Sequence, residues 1–126
     1  MSGPLARVLP RDRKGPDEPL GPVRIPGSKS MTNRALVLGA QAPGVSTLRG
    51  GLDADDTRVM RGALRGLGYV IEEPEVDLWR IHGGGRPEPR SPLWLGASGT
   101  TLRFLLPWLA LQSTSPVELE GEPRLF

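Results

Sequence analysis

The sequence predicts a mixed α/β (α+β) fold assembled from β-α-β-α-β-β units, one complete and a second only begun. Short apolar runs suited to strands alternate with longer stretches in which apolar residues recur at helical spacing. The 17 glycines and 14 prolines cluster between these segments, where they interrupt regular structure. A plan of strand, small-residue turn and helix occurs twice, although the sequence itself does not repeat.

The first predicted unit covers residues 22–83 and opens with a strand at Val23–Ile25 that ends at Pro26. A helix is expected over Met31–Gln41, closed by the Pro-Gly pair that follows it. The apolar residues that this helix should bury are Ala35, Leu36 and Leu38.

The rest of this unit contains a strand at Val45–Arg49, a helix at Asp55–Leu67 and a strand pair at Tyr69–Glu73 and Leu78–His82. The helix is the clearest amphipathic segment, and Gly68 is expected to end it. Its apolar positions are Val59, Met60, Ala63, Leu64 and Leu67.

The second unit is predicted to begin at residue 92 with a strand at Leu93–Leu95. A helix over Thr100–Gln112, with a bend at Pro107, and a strand at Val117–Glu120 follow. A domain that stopped there would leave strand edges and apolar helix faces uncovered. We therefore expect residues 21–126 to form a partial domain, residues 1–20 to be a flexible N-terminal segment, and a C-terminal part to be missing.

Composition excludes several classes of function. The net charge is +2, and the sequence has no run of basic residues interleaved with aromatic ones, so nucleic acid is not expected as a partner. Cysteine is absent and His82 is the only histidine, so this chain alone cannot build a thiolate metal site, a two-histidine metal site or a histidine-based triad. No membrane span or signal peptide is evident, which predicts a cytoplasmic protein. The three tryptophans (Trp79, Trp94 and Trp108) are expected to be packing residues.

The stretch from Pro26 to Arg34 places Lys29 and Arg34 at a helix start that has no acid in its first turn. A helix N-terminus already carries about half a positive charge, so a cation there is unfavourable by about 0.3–1 kcal/mol. An anion in the site reverses that effect, because free N–H groups, a hydroxyl, an ammonium and a guanidinium can all bind it. We therefore predict a site for a phosphate or carboxylate.

The other two helix starts provide a comparison within the same chain. The second opens with three acids, Asp53, Asp55 and Asp56, which we expect to cap its N–H groups rather than bind a metal. The third repeats the unusual choice, since Gly96–Arg103 contains two glycines, hydroxyls and an arginine but no acid. Two of the three helix starts are thus suited to anions.

These residues closely resemble the N-terminal part of the 5-enolpyruvylshikimate-3-phosphate (EPSP) synthase family. Four stretches carry the resemblance over residues 22–126: Pro26–Leu36, Leu52–Thr57, Leu95–Arg103 and Gly121–Arg124. The resemblance implies the enolpyruvyl transferase fold and transfer of the enolpyruvyl group of phosphoenolpyruvate to shikimate 3-phosphate, in the shikimate pathway to chorismate and aromatic amino acids. It implies no metal and no organic cofactor.

The resemblance also assigns roles to individual positions. The residues implied to contact shikimate 3-phosphate are Lys29, Ser30 and Arg34. Those implied to contact phosphoenolpyruvate are Lys29, Gly99 and Arg124, and Arg103 is a second-tier candidate. The aspartate that acts as general base in this family is expected beyond residue 126, so no catalytic residue is assigned within the chain. The implied partners are the two substrates and the missing C-terminal part.

Other interpretations remain open at this point. Ser30 could be a helix N-cap, Arg34 a solvated helix residue and Arg103 the partner of an acid. The chain departs from the family pattern at Ala97, usually asparagine, and at Phe104, often proline. Rival functions are a UDP-N-acetylglucosamine enolpyruvyltransferase, which typically has Lys-Asn where this chain has Lys29-Ser30, and a non-catalytic anion-binding relic.

Overall fold

A computed structural model of the protein describes residues 25–126. The predicted flexible segment, residues 1–20, lies outside the described residues. Of the predicted strand Val23–Ile25, only Ile25 is described, and it belongs to no regular element.

The elements of the first unit follow in the predicted order. They are helix α1 (Lys29–Gln41), strand β1 (Gly44–Arg49), helix α2 (Asp55–Gly66), strand β2 (Val70–Glu75) and strand β3 (Leu78–Gly83). Helix α2 ends as expected, because Gly68 adopts a φ of 96°, a left-handed conformation that favours glycine.

These strands form an antiparallel sheet with the order β1-β3-β2. Val45 lies opposite His82, and Ile71 lies opposite Ile81. The register shifts between Glu72 and Glu75, a stretch that contains Pro74. Because proline has no N–H to donate, an irregularity on this outer strand costs little pairing.

Of the remaining elements, the two strands are shorter than predicted, the helix begins one residue earlier, and a 3-10 helix was not predicted. They are strand β4 (Leu93–Trp94), helix α3 (Gly99–Gln112), strand β5 (Leu119–Glu120) and a 3-10 helix (Pro123–Leu125). Strands β4 and β5 pair in parallel, with Leu93 opposite Leu119. Helix α3 continues across Pro107.

The core lies where the three helices pack against one another and α1 packs against β3. Trp79 is fully buried, and Trp108 packs against the core and against the ring of Tyr69, 5.6 Å away between centroids. The prediction for Trp94 was wrong, since this side chain is 57% exposed. Successive strand residues face opposite sides, so burying Leu93 turns Trp94 outward.

The predicted buried face of α1 was also wrong in part. Leu36 is buried, but Leu38 is 64% exposed and Ala35 is only half-buried. Two residues along a helix lie on nearly opposite sides, so Leu36 and Leu38 cannot share a face. The face that packs is made of Leu36, Val37 and Ala40, together with the polar residues Thr32 and Asn33 one turn earlier.

The start of α2 is not capped by its acids. Ala54 occupies the N-cap position, and its N–H donates to the Thr57 hydroxyl over 2.9 Å. That hydroxyl in turn donates to the Leu52 carbonyl over 2.7 Å. Asp53, the expected cap, instead accepts hydrogen bonds from Arg58 and Arg61, because those guanidiniums lie over the same end of the helix.

Candidate functional site

The first turn of α1 has the local structure that an anion site needs. No acid lies in it, and Ser28 is the N-cap, accepting a hydrogen bond from the Met31 N–H over 3.3 Å. The alternative interpretation of Ser30 as the N-cap was therefore wrong, and its side chain is exposed. Thr32 anchors this turn to the loop before α2, because its hydroxyl accepts from the Leu52 N–H over 3.1 Å.

Lys29 has a partner that the sequence did not reveal. Its ammonium nitrogen lies 3.0 Å from a carboxylate oxygen of Asp56, in the first turn of α2. The two side chains are 50% and 27% exposed. The starts of α1 and α2 therefore meet, and a cation that α1 leaves without an acid finds one on the neighbouring helix.

Arg34 lies one turn after Ser30, and both are exposed. Side chains four residues apart share a helix face, so these two predicted ligands lie on one side of α1. The Arg34 guanidinium carbon stands 5.9 Å from the centroid of the Phe104 ring on α3, and one guanidinium nitrogen lies 3.8 Å from the sulfur of Met31. Among residues 25–126, Arg34 has no carboxylate partner.

The start of α3 is capped internally and leaves space in front of it. Ser98 is the N-cap and accepts from the Thr101 N–H over 3.2 Å, and the two hydroxyls lie 2.7 Å apart in a buried pair. Gly96 supplies the turn before the helix with a φ of 54°. A Cβ added at Gly99 would meet no atom within 4 Å. Packing within the described chain therefore does not require glycine at 99.

Arg124 lies in the 3-10 helix that follows β5. Its Nε is 3.0 Å from a carboxylate oxygen of Glu122, and the arginine side chain is 75% exposed. The backbone N–H of Glu122 donates to the Gly96 carbonyl over 2.8 Å. The segment that carries Arg124 is therefore docked on the turn that precedes Gly99.

The other singled-out positions are less engaged. Arg103 is exposed and makes no hydrogen bond or ion pair with any residue from 25 to 126, so the alternative interpretation of Arg103 as the partner of an acid has no support among these residues. Ala97 is exposed at the turn, and its carbonyl accepts from the Gly99 N–H over 3.1 Å. His82 is exposed on β3, and its Nε2 lies 3.2 Å from a carboxylate oxygen of Glu72.

A buried arginine on α2 was missed by sequence reasoning. The Arg61 side chain is 5% exposed, stands over the Trp79 ring at 4.1 Å and pairs with Asp53 and Glu73. Hydrogen bonds from Arg58 and Arg61 hold the pKa of Asp53 below its ordinary value, against an opposing effect of burial. Burial lowers the pKa of Arg61, although the guanidinium stays charged near neutrality. The helical period of α2, which turns position 61 toward Trp79, was the available signal.

The described residues contain no group of three or more His, Cys, Asp or Glu side chains arranged to hold a metal ion. Asp53 and Asp55 are instead engaged with Arg58, and Asp56 with Lys29. None of the helices in residues 25–126 is long and apolar enough to cross a membrane.

The fold is that of a known group of solved structures. An EPSP synthase from Acinetobacter baumannii superposes with a TM-score of 0.76 at 34% sequence identity, over 82% of this chain and 24% of that one. This likeness defines the class as the enolpyruvyl transferase fold of EPSP synthase, represented here in part.

The sequence comparisons define the family. The family model for EPSP synthase (3-phosphoshikimate 1-carboxyvinyltransferase) matches residues 14–126, and the chain belongs to that family. The 3-phosphoshikimate 1-carboxyvinyltransferase of Burkholderia pseudomallei is 47% identical over 108 residues, which are 83% of this chain and 23% of that protein. The enzyme of the same name from Rhizobium leguminosarum bv. trifolii is 49% identical over 112 residues, which are 87% of this chain and 26% of that protein. The chain spans about a quarter of the length of these relatives.

Proposed function

We propose that this chain takes part in transferring the enolpyruvyl group of phosphoenolpyruvate to the 5-hydroxyl of shikimate 3-phosphate, with release of phosphate. It would act as an N-terminal portion of such an enzyme and supply one wall of the cleft. Family membership and the names of the relatives support this proposal. A cytoplasmic location and a role in aromatic amino acid biosynthesis belong to the same proposal.

One observation carries the assignment of the site. Two helix starts that lack acids in their first turns lie on packed helices, α1 and α3, and each offers free donors or open space. We assign the binding of shikimate 3-phosphate to Lys29, Ser30 and Arg34. We assign the binding of phosphoenolpyruvate to Lys29, Gly99 and Arg124, with Arg103 as a further anion contact.

The carboxylates already beside two of these cations do not prevent binding. Asp56 pairs with Lys29, and Glu122 pairs with Arg124, at side chains that are exposed or partly exposed. Exposed ion pairs are worth only about 0–1 kcal/mol. An incoming phosphate can therefore take up or share these cations at little cost, while the acids hold them in place until it arrives.

In the proposed reaction, the residues of this chain bind the anionic groups of the substrates and do not transfer protons. In the addition step the 5-hydroxyl oxygen bonds to C2 of phosphoenolpyruvate, loses its proton, and a proton adds to C3. In the elimination step a proton leaves C3 and the bond from C2 to the phosphate oxygen breaks. Negative charge builds on the departing phosphate, and fixed cationic and N–H donors stabilise it. An open position in front of Gly99 allows a small anion to approach the backbone closely. The general base would come from outside residues 25–126.

Isothermal titration calorimetry on the 126-residue chain tests this proposal. We expect the chain to bind shikimate 3-phosphate and not UDP-N-acetylglucosamine. Lys29→Met should weaken binding by about tenfold or more, since a hydrogen bond to a charged group is worth about 1.5–3 kcal/mol. The same change should alter the free energy of unfolding by less than about 1 kcal/mol, because the pair with Asp56 is half-exposed.

Lys29→Arg is the matched control, because it keeps the charge and should retain most of the affinity. Binding of UDP-N-acetylglucosamine in preference to shikimate 3-phosphate would contradict the proposal, and so would equal affinities in wild type and Lys29→Met.

A further inference from the structure

Arg34 differs from the other proposed anion ligands in the group that holds it. Lys29 and Arg124 each lie against a carboxylate, whereas the Arg34 guanidinium stands over the ring of Phe104, 5.9 Å from its centroid. That distance is within the range of about 6 Å over which a cation–π contact acts. Within the described part of the chain, no acid competes for this guanidinium.

The ring offers a fixed platform. Phe104 is partly buried and packs against the hydrophobic core, and it lies in the second turn of α3. Arg34 is exposed and has three flexible methylenes that would otherwise let its head group wander. Contact with a ring that the core immobilises restricts that motion, so the arginine loses less freedom when it binds.

The geometry also preserves the donors. A guanidinium carries five N–H groups, and among residues 25–126 no oxygen atom accepts a hydrogen bond from those of Arg34. The thioether of Met31, at 3.8 Å, is a weak acceptor for one nitrogen. The N–H groups of Arg34 are thus left available for the two-bond recognition of a phosphate or a carboxylate.

We propose that Phe104 is a positioning residue for the shikimate 3-phosphate site, because it orients the Arg34 guanidinium by cation–π contact. This inference takes its ligand, shikimate 3-phosphate, from the proposed function. It adds that a residue of α3 helps a residue of α1 to bind that ligand. Position 104 thereby influences affinity for shikimate 3-phosphate without touching that substrate.

The test compares the 126-residue chain with Phe104→Leu and Phe104→Tyr. Leucine keeps an apolar side chain without the ring, and tyrosine keeps the ring. Trp108→Leu is the control, because it also removes a core-packing aromatic from α3 but one that stacks on Tyr69 rather than on Arg34. Urea unfolding confirms that each variant is folded.

Two readouts are taken on each variant. NMR measures the ring-current shift of the Arg34 side-chain protons, which reports the stacking without any ligand. Calorimetry measures the affinity for shikimate 3-phosphate. We expect Phe104→Leu to lose the ring-current shift and to bind about two- to fivefold more weakly, the factor expected of an exposed cation–π contact. Phe104→Tyr and Trp108→Leu should keep both properties.

The outcomes separate the two proposals. If wild type binds but Phe104→Leu binds equally well, or if Arg34 shows no ring-current shift in wild type, the positioning role is wrong and the proposed function stands. If wild type shows the shift but binds no shikimate 3-phosphate, the proposed function fails, and with it the role of Phe104 in binding. If Trp108→Leu weakens binding as much as Phe104→Leu, the effect is general to α3 and the inference is overturned.

Discussion

At the scale of single residues, two glycines near the helix starts differ in what surrounds them. Gly99 begins a helix where a Cβ would meet nothing within 4 Å, whereas a Cβ at Gly27 would lie 2.3 Å from the Gly50 carbonyl oxygen. Glycine at 27 is required by packing of the chain on itself. Glycine at 99 has no such reason, a property that it shares with Gly62 on α2, so the open space permits a ligand to approach but does not by itself require one.

Gly99→Ala should therefore raise stability and lower function together. Alanine in the middle of a helix is favoured over glycine by about 0.5–1 kcal/mol, and at the first helical position, which Gly99 occupies, the free energy of unfolding should rise by less than that. Binding of phosphoenolpyruvate in the presence of shikimate 3-phosphate should weaken, because the added methyl occupies the open space. Urea titration and calorimetry measure the two effects.

Gly27→Ala is the matched control for this change. Its methyl meets a carbonyl oxygen, so it should destabilise the chain by about 1–3 kcal/mol. A loss of stability in Gly99→Ala would show that position 99 is glycine for a structural reason. Unaltered binding of phosphoenolpyruvate would contradict the approach of a ligand at this position.

At the scale of elements, the arginines of α2 connect the helix to the loop before it and to the sheet. Arg61 reaches Asp53 on one side and Glu73 on the other, and Arg65 also pairs with Glu73. The pair between Arg61 and Asp53 ties α2 to the loop directly before Asp56, and Asp56 pairs with Lys29. The geometry of the proposed site thus also depends on the ion pairs of Arg61, a residue that is not itself proposed to bind a substrate.

Acid should weaken this connection. The pKa of Asp53 is lowered in the folded chain, first by its hydrogen bond with Arg58. The stabilisation is fully present above the unfolded-state pKa of about 4 and is lost as pH falls through the lower folded-state value. Asp53→Asn should therefore reduce the urea midpoint at pH 7 and flatten the fall of stability below pH 4.

Asp55→Asn is the control for this prediction, because Asp55 is 98% exposed and contacts Arg58 at 3.3 Å, without reaching Arg61. Urea titrations of both variants between pH 2.5 and 7, a window set by the aspartate pKa range, provide the measurement. Equal pH profiles for wild type and Asp53→Asn would contradict the assignment.

At the scale of the whole molecule, the described residues leave apolar surface exposed. Leu38, Trp94, Leu106, Leu111 and Phe126 are all more than half exposed. Strand β4 pairs with β5 over two residues only. The chain spans about a quarter of the length of the relatives that it matches.

We expect the 126-residue chain alone to show no steady-state release of phosphate from shikimate 3-phosphate and phosphoenolpyruvate. The residues proposed to form the site bind the anionic groups of the substrates, but none of these residues is proposed as a general base. Adding residues that correspond to the remaining three quarters of the Burkholderia pseudomallei enzyme should restore release. Turnover by the chain alone would refute the first expectation, and binding without restored turnover would favour a relic.

The order of elements could be predicted from local pattern alone. The helical spacing of apolar residues predicted α2, and Gly68 predicted where that helix ends. Both signals act within a few residues of the chain. The same local reasoning failed at Leu38 and Trp94, where the outcome depends on which face meets another element. It also failed at Asp53, where two arginines compete with the helix N–H groups for the carboxylate.

The sequence by itself determined the family, the alternation of strands and helices, and the two helix starts without acids, because each of these depends on residues close together in the chain. Only the tertiary structure decided that Asp56 neutralises Lys29, that Phe104 supports Arg34 and that Gly99 has open space before it. Those contacts join residues from different helices, or depend on what packs around a position. Their distances are set by the packing of α1, α2 and α3, which no short-range pattern encodes.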